Sequence, residues 1–339
     1  MQDQLYRLAF EIDQAIDRSD SDQLQNSLIE IKKLTTKKVS KYYGAQLNFF
    51  ATNAYSGLRH SEGRANSCTW SNSYLEKEIY HLRLSFSACQ SIPFDQDRSD
   101  LRFRVGTNLG NVLNHVGRFV EAIEIWDRVI QAHPEFAMAI GNRGHALCWY
   151  ARHLYDTEHQ PIFLHHGFKS IKIALELGVE EHAAVGMKEW LVYLESITDW
   201  DKINFKPRKE LRVRSKQERA YRTWCLAHRL FLNPLNDLGE TDIAANDVLT
   251  FPSVVIPIAE SSPAPPEVYG IYNQLKQEYV SARYMLFEAI EDSRKKFTSL
   301  TNESSYTTCL TIDTIDYGLR NLKWLFLRLT QFSIKSLIW

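Results

Sequence analysis

No run of about 20 apolar residues occurs anywhere in this 339-residue chain, so nothing in it reads as a membrane-spanning helix. Glycine is sparse, at 14 residues, and alternating Val/Ile/Thr segments are few, which argues against extensive sheet. The five cysteines, Cys68, Cys89, Cys148, Cys225 and Cys309, are scattered, odd in number and never paired as CxxC. That pattern argues against a structural zinc and fits a reducing compartment. Charge of one sign is missing as well: 40 basic against 41 acidic residues leave a formal net charge of -1. A generally cationic surface is thereby excluded, and any contact with nucleic acid must come from a local patch. The opening MQDQLYRLAFEIDQAI has no continuous apolar core and does not read as a signal peptide, so a cytoplasmic protein is expected.

Site chemistry is equally thin. His145, His153, His159, His165 and His166 cluster in sequence, but no HExxH or Cys/His spacing supports them, and no metal is expected. Gly106, Gly110 and Gly117 open helix pairs rather than follow a strand, so they make no phosphate loop. No GxSxG elbow and no arguable carboxylate pair is present, and no cofactor is expected.

What the chain does have is helical periodicity, with a 44% apolar content able to build a sizeable core. It is clearest from Asn108 to Asn142. There Leu109 and Gly110 open one apolar face, Gly117 punctuates, and Phe119, Ala122, Ile123, Trp126, Val129 and Ile130 recur until Pro134 stops the run. Gly110 and Ala122 are small enough for close helix approach, and Trp126 is large enough to fill the space between hairpins. Asn142 and Gly144 lie 34 residues after Asn108 and Gly110. A helix pair recurring at this period resembles the tetratricopeptide repeat family. Degenerate copies extend the pattern both ways. LYRLAFEIDQAI, LQNSLIEIKKL and YLEKEIYHLRLSFSACQSIP precede it; GNRGHALCWYARHLYD, an insertion TEHQPIF, HHGFKSIKIALELG and the cap HAAVGMKEWLVYLESI, with Trp190 and Leu194 buried, follow.

Residues 1–200 are therefore expected to form a helical repeat array, residues 201–217 a basic connector, and residues 218–339 a second helical domain. KPRKELRVRSKQERAYR holds eight basic residues against Glu210 and Glu218. It reads either as a solvated connector or as a phosphate-contacting strip carried by Lys206, Arg208, Lys209, Arg212 and Arg214.

Beyond it, NPLND (Asn233 to Asp237) and NQLKQEYVSAR (Asn273 to Arg283) carry the most specific features of the C-terminal part. Taken as residues, NPLND is turn chemistry, since Asn and Asp side chains bond nearby backbone and Pro234 fixes a dihedral. In the second stretch Leu275, Tyr279, Ala282, Leu286 and Ile290 line one helical face, with Gln274, Lys276, Glu278 and Arg283 placed elsewhere. Together these segments resemble the HEPN domain fused behind tetratricopeptide-like helices in bacterial proteins, over roughly residues 216–335. The resemblance implies an all-α bundle, RNA or nucleotide binding, a homodimer, and Asn233, Asn236, Asp237, Gln274, Lys276 and Arg283 as motif residues. In active members it also implies metal-independent ribonuclease chemistry in defence or stress systems. There an arginine holds the scissile phosphate, and a histidine four to six residues on exchanges protons. That motif is expected after LRNLKWLFLRLTQFSIKSLIW, where the chain ends, so a shortened domain of doubtful nuclease activity is expected. Arg152 with His159, and Arg222 with His228, match the spacing elsewhere.

The array offers a different function. The tetratricopeptide resemblance implies a concave face lined by first helices, carrying Asn108, Asn111 and Asn142; the last two resemble the asparagines of a carboxylate clamp, with Thr107 where a clamp has lysine. The alternatives at this point are an RNA-directed HEPN protein with a partner-sensing array and a non-enzymatic peptide-binding scaffold.

Overall fold

The computed structural model describes residues 2–36, 39–63, 72–92, 96–154, 158–203, 213–240, 242–249 and 267–299. Among these the fold is all-α, with no strand. The helices are α1 (Gln2–Asp17), α2 (Ser21–Thr35), α3 (Lys41–Ser61), α4 (Ser73–Gln90), α5 (Gln96–His115), α6 (Phe119–Ala132), α7 (Ala137–Ala151), α8 (Gln160–Leu177), α9 (Glu181–Ile197), α10 (Lys216–Ala227) and α11 (Glu267–Ser299). By packing they fall into two units, Met1–Val116 with Ala122–Arg143 and Ser170–Met187, and Gly117–Glu121 with Gly144–Lys169 and Lys188–Trp339. The basic connector expected at 201–217 falls inside the second unit, which also holds the C-terminal parts of α7 and α9.

In the first unit the helix boundaries follow local chemistry. Asp20, Ser40 and Asn72 each accept a backbone N–H from the first turn of the helix they precede, satisfying donors that have no partner within the helix. Leu5, Leu8, Ile12 and Ala15 recur every three or four residues on α1 and are buried with Leu24, Ile31 and Leu34 of α2 and Leu47, Ala51, Ala54 and Leu58 of α3. α3 packs on α1, α2 and α4, and α4 on α5. One buried ion pair joins α3 to α4, Arg59 Nε to Glu78 Oε2 at 2.9 Å.

The Asn108 to Asn142 stretch folds as its spacing predicts. Gly117, at φ 80, makes the turn between α5 and α6, a conformation that costs glycine least. Ala122 and Trp126 are fully buried, and a Cβ on Gly110 would fall inside the Trp126 indole. The indole N–H donates to the Thr107 carbonyl at 3.3 Å, so a large side chain closes its polar group on the helix it packs against. One boundary differs from expectation. α8 starts at Gln160, five residues before HHGF, because Pro161 is tolerated in a first helical turn and Ile162 and Phe163 are buried there. On α9, Leu194 is buried as expected, whereas Trp190 is half-exposed.

The close approach at Gly110 is a quantitative test of this packing. Gly110→Ala should lower the unfolding free energy by about 1–3 kcal/mol in urea titrations, because the added methyl overpacks a full site.

Candidate functional site

The second unit is built around a stretch that is irregular and buried at once. α10 is capped by Ser215, whose hydroxyl accepts the Glu218 N–H while Glu218 accepts the Arg214 N–H. It ends at His228, and Arg229 reverses the chain with a left-handed backbone, φ 53. Every residue from Leu230 to Asp237 is then buried. Loops normally stay on the surface because their backbone groups need water, so this one must find its partners inside.

A 3-10 turn at Pro234–Asn236 satisfies part of this loop, and side chains satisfy much of the rest. Leu232 N–H donates to Asp247 Oδ1 at 2.7 Å, Phe231 N–H to Asn236 Oδ1 at 3.4 Å, and Leu235 N–H to Asn233 Oδ1 at 3.1 Å. Asn233 Nδ2 donates to the Ile243 carbonyl at 3.2 Å and Asn236 Nδ2 to the Leu226 carbonyl at 3.2 Å. The Leu230 carbonyl accepts twice from α11, from the Tyr279 hydroxyl and from Arg283 Nη1, each at 2.7 Å. The two asparagines of NPLND are therefore backbone substitutes, as turn chemistry suggests.

Arg283 is the hub. Its side chain is 2% exposed. Nη1 and Nη2 grip Asp247 at 2.8 and 2.6 Å, and Nε donates to the Tyr221 hydroxyl at 2.8 Å. The guanidinium also lies 5.0 Å from the Phe231 ring centre, 5.5 Å from Tyr279 and 5.6 Å from Tyr221. Burial favours the neutral form, but the hydrogen bonds and charge of Asp247 outweigh it and raise the arginine's pKa. Tyr279, Tyr221 and Tyr272 are pushed upward by burial, so all three stay neutral donors. Lys276 bridges the Asp247 and Leu249 carbonyls at 3.1 and 2.8 Å, and burial lowers its pKa. The sequence reading put Arg283 off the buried face; the structure puts it at the centre. Among the described side chains of α11, Tyr272, Tyr279, Arg283, Phe287 and Ile290 are buried, and Arg283 sits four residues from both Tyr279 and Phe287, on their stripe.

Beside this network lies a cleft of ≈ 520 Å³ shared by α10, the 245–247 loop and α11, with Arg222, Asn246, Ser281 and Tyr284 among its lining. Arg222 is paired with Glu218 at 3.0 Å and donates to the Ala245 carbonyl at 3.3 Å. The neighbouring Cys225 thiol is pushed up to about 12 by burial, which leaves no thiolate to act as nucleophile. Among the described residues no three His, Cys, Asp or Glu side chains converge as a metal site.

The remaining predicted residues are dispersed. Asp237 is buried, its N–H bonded to the Pro234 carbonyl, while Gln274 is exposed and bonds Glu278 at 2.8 Å. Asn108 and Asn111 on α5 and Asn142 on α7 are half-exposed. Arg214 is exposed at the start of α10; Lys206, Arg208, Lys209 and Arg212 lie outside the described residues, as does the helix expected at LRNLKWLFLRL. Arg152 is exposed and stacks over Trp149 and Trp190, and His159 is buried just before α8. His228 ends α10 with its ring 5.4 Å from that of Trp224, while Arg222 faces Glu218 and Ala245. Of the histidine cluster, His166 bonds Glu240 at 2.9 Å, and burial lowers the pKa of His165. Sequence reasoning missed Asp247 and Tyr221. The one signal for Asp247 was a carboxylate in an apolar loop ahead of a helix carrying an unmatched arginine.

Residues 259–337 match the family model described as LA2681-like HEPN. The C-terminal part of the chain thus carries a HEPN-type domain, whose match includes α11 and NQLKQEYVSAR but begins after NPLND and Asp247. No curated protein and no solved structure matches the chain. The matched residues contain no histidine; His228 is the last in the sequence.

Breaking the hub should be costly. Arg283→Met and Asp247→Asn should each lose about 3–5 kcal/mol in urea unfolding, because each strands a buried charge or its donors. The pair Arg283→Met with Asp247→Asn should lose less than the sum of the two single changes. A second expectation concerns pH. The hydrogen bond from His166 holds the Glu240 carboxyl below its ordinary 4.5, so its contribution is present above that value and fades as pH falls through the lowered one. Glu240→Gln should flatten the decline of the urea midpoint below about pH 4.5.

Proposed function

We propose that this chain is an RNA-directed HEPN-family protein of a defence or stress type, with the helical region over residues 1–200 sensing a protein partner. The observation that carries the reading is the HEPN match across residues 259–337. The arginine–histidine motif of active members is not among residues 259–337, so the reading is of RNA binding, and cleavage is put to the test below. The buried Arg283 supports the same view, since four of its five N–H donors are taken by protein groups and its side chain is 2% exposed. The proposal is binding of RNA rather than cleavage, in the cytoplasm and in a homodimer. Lys206, Arg208, Lys209, Arg212 and Arg214 supply the phosphate contacts.

Labelled tRNA and single-stranded RNA incubated with the full chain in EDTA test this directly. Retention without cleavage is expected, weakening with salt and less salt-dependent when the five basic residues are replaced by glutamine. Loss of cleavage in Arg152→Ala or His159→Ala would contradict it, as would absence of RNA retention at low salt.

A peptide-binding scaffold is the second reading, favoured by the half-exposed Asn108, Asn111 and Asn142 and by Thr107, whose buried hydroxyl has no hydrogen-bond partner among the described residues. Binding of a peptide through its C-terminal carboxylate, lost in Asn142→Ala, would mark it.

A further inference from the structure

The face that Arg152 makes with two tryptophans belongs to neither the RNA reading nor the asparagine groove. Trp149 lies near the end of α7 and is 44% exposed; Arg152 directly follows that helix. The guanidinium carbon stands 5.8 Å from the Trp149 ring centre and 5.6 Å from that of Trp190 on α9. Tyr193, 47% exposed, meets Trp190 edge-on at 5.7 Å, and Ile197, 48% exposed, follows one turn later. Trp190, Tyr193 and Ile197 are spaced by three and four residues, so they form one stripe on α9. The last helix of a repeat array ordinarily turns a polar face to water. Here that position carries large apolar groups, and tryptophan, tyrosine and arginine are the residues that concentrate binding energy at protein interfaces.

We propose that this Trp149, Arg152, Trp190, Tyr193 and Ile197 face docks an extended segment of a partner protein in which an acidic side chain stands beside large apolar ones. The charge argument fixes the acidic component. The guanidinium lies over both indole rings, while its N–H groups bond no carboxylate or carbonyl among the described residues. A carboxylate fits the planar fork of a guanidinium in two-point fashion. Tyr193 and Ile197 supply the apolar component. Single-stranded RNA could stack on the same indoles, but it brings a charge at every nucleotide, whereas the cation that the described residues place over these indoles is Arg152, with apolar groups beyond it. The inference does not rest on RNA binding, and it uses side chains apart from Asn108, Asn111 and Asn142.

Selection of a random dodecapeptide phage library on the immobilised full chain tests it, run in parallel on Arg152→Ala, Trp149→Ala and Asn142→Ala chains whose folding is checked by circular dichroism. Peptides enriched on the unaltered chain should carry Asp or Glu within three positions of Leu, Ile, Phe or Trp. A synthetic copy of one should lose about tenfold or more in affinity with Arg152→Ala, and similarly when its acid is changed to the amide, but not with Asn142→Ala. Arg152→Lys should rescue only part of the loss, since an ammonium cannot make the paired contact. Failure to enrich any peptide, enrichment unaffected by Arg152→Ala and Trp149→Ala, or peptides without acidic residues would overturn the proposal. So would retention of an oligouridylate 12-mer that these two substitutions abolish, which would make the face an RNA platform. Loss of RNA retention elsewhere with peptide selection intact would count against the RNA reading alone.

Discussion

A buried loop with nowhere to send its backbone groups is the constraint on which the second unit depends. Leu230 to Asp237 passes through the interior with only one short 3-10 turn, Pro234–Asn236, for regular bonding, and every N–H or C=O left open there would cost on the order of 1–3 kcal/mol. Side chains supply partners that this turn does not. Asn233 and Asn236 bond the loop to itself and to its flanks, Asp247 accepts the Leu232 N–H, and Tyr279 and Arg283 reach the Leu230 carbonyl from α11. Arg283 then binds Asp247 with two hydrogen bonds, so one ion pair ties the loop after α10 to the long helix that follows. The small apolar cluster of Cys225, Leu230, Phe231 and Ala245 packs around this polar centre. In such a network the members are worth more together than singly, because each holds the next in a low-dielectric setting.

The same interaction decides what kind of residue Arg283 is. An exposed arginine on α11 would be a ready phosphate ligand. With its hydrogen bonds to Tyr221, Leu230 and Asp247 made and three aromatic rings around it, the guanidinium is architectural, and ligand binding falls to groups further out. Asn233 and Asn236 are architectural for the same reason, whereas Gln274 stays on the surface. The HEPN-type domain at residues 259–337 and the aromatic face around Arg152 thus offer two separate places to look for partners.

Local rules made much of the fold legible. The contact of Gly110 with Trp126, the turn at Gly117 and the helix breaks near Pro134 follow from residue size, backbone freedom and a missing N–H. The start of α8 lies within the TEHQPIF insertion, because a proline in the first turn can open a helix. The polar centre was only half legible. NPLND announces a turn, but nothing local says that the turn is buried, since burial depends on Asp247 and Arg283, 10 and 46 residues beyond Asp237. Arg283 was placed off the buried face because a charged residue is assumed to be exposed unless its partner is known, and the partner sits in another segment. The Trp149, Arg152 and Trp190 contact was hidden likewise: helical spacing relates residues on one helix and is silent about a stack across two.

Hydrogen exchange at the amides of Phe231, Leu232 and Leu235 tests the central claim most directly. If polar side chains seal this loop inside, these amides should exchange as slowly as the middle of α11 and only through opening of the whole unit, with rates that rise together in Asp247→Asn. Exchange at the rate of an exposed surface loop, unchanged by that substitution, would contradict the account.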